Sequence, residues 1–287
     1  MTFVISLATT PTRINNFIYS ITYFNKELPD DCIKVVINIA SSYKRFPDSI
    51  KLSDYSKKIL LENKKFILNI IPDYGPISKY YGGIDYISKN NLHNCSLFII
   101  DDDIMYNKKY IEEVIRGGPY KLISAGNGFD IINNQYTITT PNPQYIEGFS
   151  GIYFNYNNVD KLLQKFIKYY SCLIKKKDEE GAEDNIINNF LIAAFMGDDF
   201  IISSFYKNKI FVNGKNLFNY HKCRVMEYGL GTDALQNNQL FGSNMDTYFY
   251  LRDNEIILTT FINKLKVNTE LMSACGDGDR HFMNLSN

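Results

Sequence analysis

Apolar positions along the first hundred residues alternate between two rhythms. Phe3–Ala8 is a short apolar run without helical spacing and reads as a strand, closed by the loop Thr9-Thr10-Pro11-Thr12-Arg13. Ile14, Phe17, Ile18 and Ile21 then recur at the spacing of a helix face. Ile33–Ile39 predicts a second strand, Ile50–Lys65 a charged amphipathic helix and Phe66–Ile71 a third strand. Tyr80–Lys89 predicts another helix, and Leu97–Ile100 a fourth strand that ends at Asp101-Asp102-Asp103. Strands alternating with helices imply an α/β protein with a mostly parallel central sheet flanked by crossover helices.

The pattern is mixed after the aspartates. Lys121–Ala125 and Tyr136–Thr140 read as strands separated by the turn-prone Gly126-Asn127-Gly128, and Ile152–Phe154 reads as another strand. Val159–Cys172 predicts a helix, and the charge run Lys175-Lys176-Lys177-Asp178-Glu179-Glu180-Gly181 predicts a solvated, mobile loop. Asp184–Met196 is apolar at helical spacing and leads into Gly197-Asp198-Asp199. From about Lys215 the chain is rich in Asn, Gly and Tyr and carries no assignable motif.

With 287 residues the chain is long enough for a substantial core. Its 31 basic and 31 acidic residues balance, so no global field draws it to nucleic acid or an anionic membrane; no nucleic-acid partner is expected, while a small phosphate-sized ligand is compatible with the balance. Five scattered cysteines, without a C-x-x-C pair, predict reduced thiols in a cytosol-like compartment and neither a disulfide framework nor a zinc site. No stretch has transmembrane length, and the start Thr2-Phe3-Val4-Ile5-Ser6-Leu7 lacks a signal-peptide pattern. The expectation is a soluble, cytoplasmic protein whose oligomeric state the sequence leaves open.

The aspartate triplet is the sharpest chemical feature. Three adjacent carboxylates repel one another, and a hard cation such as Mn²⁺ or Mg²⁺, ligated by carboxylate oxygens, water and a substrate phosphate, would neutralise them. A solvated acidic turn is the competing reading; the buried strand before the triplet tips the balance, because ligand groups collect at the carboxyl ends of strands. In a parallel sheet the four loops after the four strands meet at one edge. They carry Thr9, Thr10 and Arg13; Tyr43, Lys44 and Arg45; Asp73, Tyr74, Gly75 and Lys79; and the triplet. Hydroxyls, cations, a ring and a metal site at one edge suit a nucleoside diphosphate.

Asp198-Asp199 is open to two readings, a general base with a raised pKa or the favoured acidic start of a helix. Glu147-Gly148-Phe149-Ser150-Gly151 carries glycines that permit close backbone approach to a ligand. Of the histidines, His221 is a candidate further metal ligand, against the commoner structural role of a lone His. No G-x-S-x-G elbow, Walker A loop or G-x-G-x-x-G fingerprint is present.

This set of motifs resembles the nucleotide-sugar glycosyltransferases of the GT-A fold, and within them the small glycosyltransferase domains of large DNA viruses. The resemblance is carried by Thr9-Thr10 and Arg13 after the first strand, Asp101-Asp102-Asp103 at the D-x-D element, Glu147–Gly151 at the acceptor-side loop, and Asp198-Asp199 at the acidic pair. It spans about residues 1–215. It implies a GT-A-like, Rossmann-like domain with a nucleotide-binding half (1–106), an acceptor half (107–215), and an extension or lid over 216–287. It further implies transfer of a sugar from a nucleoside diphosphate sugar, a UDP-sugar above all, to a glycan or other hydroxyl acceptor, with inversion, and a host-cytoplasmic setting if the protein is viral.

Carried over residue by residue, the resemblance gives Asp103 and Asp101 the metal, with His221 as a further ligand. Thr9, Thr10, Arg13, Asp73, Tyr74, Gly75, Lys79, Asp101 and Asp102 fall to the nucleotide pocket. Glu147, Gly148, Phe149 and Ser150 line the acceptor side, and Asp199 or Asp198 acts as base. Asp198 stands where the family usually has Glu, so the choice within the pair stays open. The competing functions are a metal-dependent nucleotidyltransferase or phosphohydrolase using the same triplet, and a non-catalytic nucleotide- or carbohydrate-binding module.

Overall fold

The computed structural model describes residues 2–43, 46, 50–92, 94–104, 106–117, 123–137, 143–155, 160–180, 185–211 and 244–267. The expected mostly parallel sheet is its centre. Strand β1 (Phe3–Ala8) runs parallel to β2 (Cys32–Ala40) on one side and β4 (Ser96–Ile99) on the other, and β3 (Phe66–Ile71) pairs parallel with β2 at the edge. Beyond β4 lie β9 (Ile152–Phe154), antiparallel to both its neighbours, then β5 (Ile123–Ala125) and β10 (Lys209–Phe211). The order is β3-β2-β1-β4-β9-β5-β10. A second small sheet pairs β6 (Gly128–Ile132) with β7 (Gln135–Thr137) and β8 (Tyr145–Ile146).

Alternation along β1 explains why both sheet faces are covered. Phe3, Ile5 and Leu7 join α1 (Ile14–Phe24) and α4 (Lys108–Gly117) in one apolar cluster, while Val4 joins α3 (Ser78–Lys89) in another. The helices α5 (Lys161–Glu180), α6 (Asn185–Met196) and α7 (Asp198–Phe205) enlarge that second cluster. So do α8 (Asn244–Asp253), through Leu251, and α9 (Glu255–Val267), through Leu258 and Phe261.

A polar seam fixes α3 on the sheet. Ser6 Oγ, on β1, donates to the Lys79 carbonyl at 2.6 Å and accepts from Asn38 Nδ2 at 2.8 Å, and Asn69 Nδ2 donates to Asn38 Oδ1 at 2.9 Å. Ser6 and Asn38 are buried and Asn69 half-buried, and they are hydrogen-bonded to one another, so the seam sets the position of α3 without leaving orphaned donors among them. Lys79 is thereby placed at the carboxyl edge of β4.

Three expectations need correction. Helix α2 (Asp54–Glu62) starts four residues later than Ile50, because Ser53 Oγ accepts the Ser56 N–H at 3.0 Å and caps it there. The charge run is not a loop up to Glu180; it continues α5, since Lys, Asp and Glu tolerate a helix and no breaker occurs before Gly181. Cys32 and Cys95 are free and buried, but Cys172 is disulfide-bonded, so the five thiols are not all reduced; spacing in sequence does not report proximity in space. No described helix is long and apolar enough to cross a membrane.

Candidate active site

Residues that follow β1, β3 and β4 meet at one edge of the sheet. Arg13, held at the head of α1 by its own N–H to the Thr10 carbonyl (3.1 Å), turns its guanidinium onto Asp102 and lies 3.2 Å from Asp103 Oδ2. Lys79, one residue into α3, places Nζ 2.6 Å from Asp101 Oδ1 and 2.8 Å from Asp198 Oδ2. The triplet's repulsion is therefore met in part by two buried cations of the same chain. Burial opposes each cation's charge, but Asp102, Asp103 and Asp101 outweigh it at Arg13, and Asp101, Asp198 and Asp199 at Lys79, so both pKa values are raised.

Five acidic side chains, Asp101, Asp102, Asp103, Asp198 and Asp199, share this edge with those two cations, so the acidic groups outnumber the basic ones. Burial pushes Asp103 up to about 7, with Asp101 and Asp102 adding to the shift and Arg13 opposing it. Asp102 also rises, through burial and against Arg13. The Asp102 side chain is sealed at 4% exposure, whereas those of Asp101 and Asp103 keep 30% and 22%. The outer two of the three thus face the open side. Among the described residues no three Cys, His, Asp or Glu side chains form a metal-ligating cluster.

The acidic pair opens α7, both residues in its first turn where the helix dipole favours them, with Gly197 before them making no side-chain cap. Asp199 is held at both oxygens. The Gly148 N–H donates to Oδ1 at 2.9 Å, and the Tyr248 hydroxyl, from α8, donates to Oδ2 at 3.2 Å. Burial and the Asp198 charge raise its pKa well above the carboxylate range despite Lys79. A Cβ at Gly148 would lie 2.5 Å from Asp199 Oδ1 and 3.1 Å from Lys79 Nζ, so only glycine lets this backbone approach both.

The Gly148–Ser150 turn that presents this N–H is clamped from below. Tyr106, just past the triplet, donates its hydroxyl to the Phe149 carbonyl and accepts the Asp101 N–H at 3.2 Å. Tyr110 donates to the Ser150 carbonyl, and Ser150 Oγ to the Glu147 carbonyl at 2.6 Å. Glu147 is buried and accepts from Asn127 Nδ2 at 2.6 Å; burial pushes it up to about 7 against that bond.

The other expected residues lie nearby in differing roles. Thr9 and Thr10 are buried at the end of β1; the Thr9 carbonyl accepts from Tyr43 and Thr10 Oγ1 shares a hydrogen with Thr12 Oγ1. Asp73 turns its carboxylate onto the Gly75 N–H at 3.0 Å. Tyr74 is a core residue, its ring tilted against that of Tyr81 with 4.5 Å between ring centres, and offers no open ring face. Lys44, Arg45 and His221 lie outside the described residues. Sequence reading missed Tyr106, Asn127 and Tyr248; of these only Tyr106, close behind the triplet, had a local signal.

No protein-family model and no curated protein matches this chain. Among solved structures it is similar to the galactosyltransferase LgtC in complex with donor and acceptor sugar analogues. That match has 10% identity and a TM-score of 0.42, over 86% of this chain and 83% of the other. An active-site mutant of LgtC gives 10% identity and a TM-score of 0.39, over 75% and 73%. It is similar also to 4-diphosphocytidyl-2C-methyl-D-erythritol synthase, with 11% identity and a TM-score of 0.37, over 80% and 99%. Likenesses this distant carry no inference about activity.

Proposed function

We propose that this protein is a glycosyltransferase that moves a sugar from a nucleoside diphosphate donor to an acceptor hydroxyl with inversion. The observation that carries the reading is Lys79, which joins the strand-end triplet to the helix-start acidic pair through Asp101 and Asp198. Donor-side and acceptor-side carboxylates so joined suit a reaction that needs both charge control at a leaving diphosphate and a base at the nucleophile. A phosphohydrolase or a simple binding module would leave Asp199, held at both oxygens, without a task.

In the proposed reaction Asp199 takes the proton of the acceptor hydroxyl. The acceptor oxygen bonds to the anomeric carbon as the bond from that carbon to the diphosphate oxygen breaks, and the electron pair leaves with the diphosphate. The raised pKa of Asp199 makes it a stronger base than a surface aspartate, and Gly148 and Tyr248 limit its rotation. Arg13 keeps Asp102 in place, and Lys79 stays cationic beside the site.

The excess of carboxylates, and the exposure of Asp101 and Asp103 in contrast to Asp102, fit a divalent cation, Mn²⁺ or Mg²⁺, held by those two outer residues with water and donor oxygens completing its shell. Such an ion would supply charge stabilisation for the departing diphosphate. A UDP-sugar is the donor and the cytoplasm the compartment implied by the resemblance of the motifs, and both belong to the same proposal. The test is release of free nucleoside diphosphate from a panel of nucleotide sugars with Mn²⁺ and simple sugar acceptors. Turnover by the wild type, lost in Asp199→Asn with donor binding retained, is expected; equal turnover by Asp199→Asn would remove the assigned base.

A further inference from the structure

We propose that Tyr248 is a positioning residue for Asp199, so that α8 is part of the reaction centre and not only a packed extension. The contact rests on geometry alone; its consequence for turnover rests on the sugar-transfer reading above.

The seating of α8 makes the contact specific. Its Leu251 and Thr247 press on Gly197, the residue before the acidic pair: a Cβ there would meet Leu251 Cδ1 at 2.7 Å and Thr247 Cγ2 at 3.2 Å. Thr247 and Leu251 are both buried, and the Tyr248 ring lies 5.1 Å from that of Phe129, on β6. With the helix and the ring both fixed, the hydroxyl arrives at Asp199 Oδ2, the oxygen that Gly148 does not hold. A carboxylate pinned by a backbone N–H on one oxygen and a phenol on the other keeps one orientation, and both donors favour its charged form.

Several groups set the charge around this contact. Asp198 on α7, Lys79 on α3 and Asp101 after β4 act on Asp199, while Asp198 and Glu147 act with it on the phenol. Burial and those carboxylates raise the Tyr248 pKa well above its ordinary value, which keeps the phenol protonated and able to donate. Loss of the hydroxyl would leave the ring on Phe129 but release Asp199 Oδ2.

The test uses the full chain with ¹³C-labelled aspartate carboxyls, the Asp199 signal being the one that disappears in Asp199→Asn. In Tyr248→Phe that signal should titrate about one pH unit higher than in the wild type, as expected for losing one hydrogen bond to a charged group. Transfer should fall about tenfold or more in kcat, with donor KM unchanged to about twofold. An unshifted midpoint with unchanged kcat would overturn the proposal. Were Tyr248→Phe not to fold, ¹³Cζ-labelled tyrosine would read the contact from the other side. Asp199→Asn should then move one buried tyrosine signal, and no movement would overturn the proposal. A wild type that transfers no sugar would sink the sugar-transfer reading, while the NMR midpoint would still decide the Tyr248–Asp199 contact.

Discussion

Lys79, at the head of α3, and Asp198, at the head of α7, stand 2.8 Å apart from Nζ to Oδ2, with Asp101 on the same ammonium at 2.6 Å. One buried cation thus joins two helices and a strand end. Lys79→Met would leave Asp101 and Asp198 facing each other without it, and removing one partner of a buried ion pair costs about 3–5 kcal/mol. Chemical denaturation of the variant should show a loss of that size. A loss below about 1 kcal/mol would mean that water already serves these carboxylates.

Much of this arrangement is legible in the chain, and the reasons for the gaps are physical. The strands β1 to β4 are short apolar runs ended by turn chemistry, and parallel pairing by itself brings Thr9, Arg13, Lys79 and the triplet to one edge. The repulsion within the triplet is also legible; that Arg13 and Lys79 answer part of it is not, because ion pairs between distant segments leave no spacing. The hairpin β6–β7 turns at Asn133 and Asn134, whose φ angles are 51° and 59°, a left-handed pair that Asn tolerates best after Gly. The Gly126-Asn127-Gly128 signal nearby masks it. Tyr248 reaches Asp199 only because α8 seats on Gly197, a tertiary event with no local signature.

Glu147 should make stability depend on pH in a defined direction. Its carboxyl rises from an ordinary 4.5 to about 7 on folding, so the folded state holds the proton more tightly than the unfolded chain. The resulting stability is fully present below about 4.5 and is lost as pH rises through about 7, an effect on the order of 3 kcal/mol. Glu147→Gln keeps an acceptor for Asn127 but cannot ionise. Its melting temperature should exceed the wild type's at pH 8 and match it near pH 4.5. A difference that stays constant with pH would contradict the assignment.

Asp103 offers a second pH test. A proton that leaves only near pH 7 competes with a divalent ion for the same oxygens. Mn²⁺ affinity, measured by calorimetry with a nucleoside diphosphate present, should be about tenfold weaker at pH 6 than at pH 8. Asp103→Asn should bind weakly at both, and equal affinity at the two pH values in the wild type would place the ion elsewhere.

Gly148→Ala tests the close approach at Asp199. Its Cβ would sit 2.5 Å from Asp199 Oδ1, so either the turn or the Asp199 carboxylate must move and the N–H bond is strained or lost. Transfer should fall about 100-fold in kcat, the range seen when one aligned donor is removed from a reaction centre. Donor affinity should change less than kcat, because this turn reaches the triplet through Lys79 and Asp101, whereas Asp102 and Asp103 are held by Arg13; a variant as active as the wild type would show that the backbone contact has no bearing on the reaction.

The central claim is that the two acidic clusters form one site for a nucleoside diphosphate. A melting-temperature screen with UDP, GDP, CDP, TDP and ADP, each with and without Mn²⁺, tests it most directly, since a ligand that binds only the folded state raises the melting temperature by mass action. Stabilisation by one diphosphate, UDP foremost, much enlarged by Mn²⁺ and abolished in Asp103→Ala, is the expected result. No selective shift with any nucleotide would contradict it.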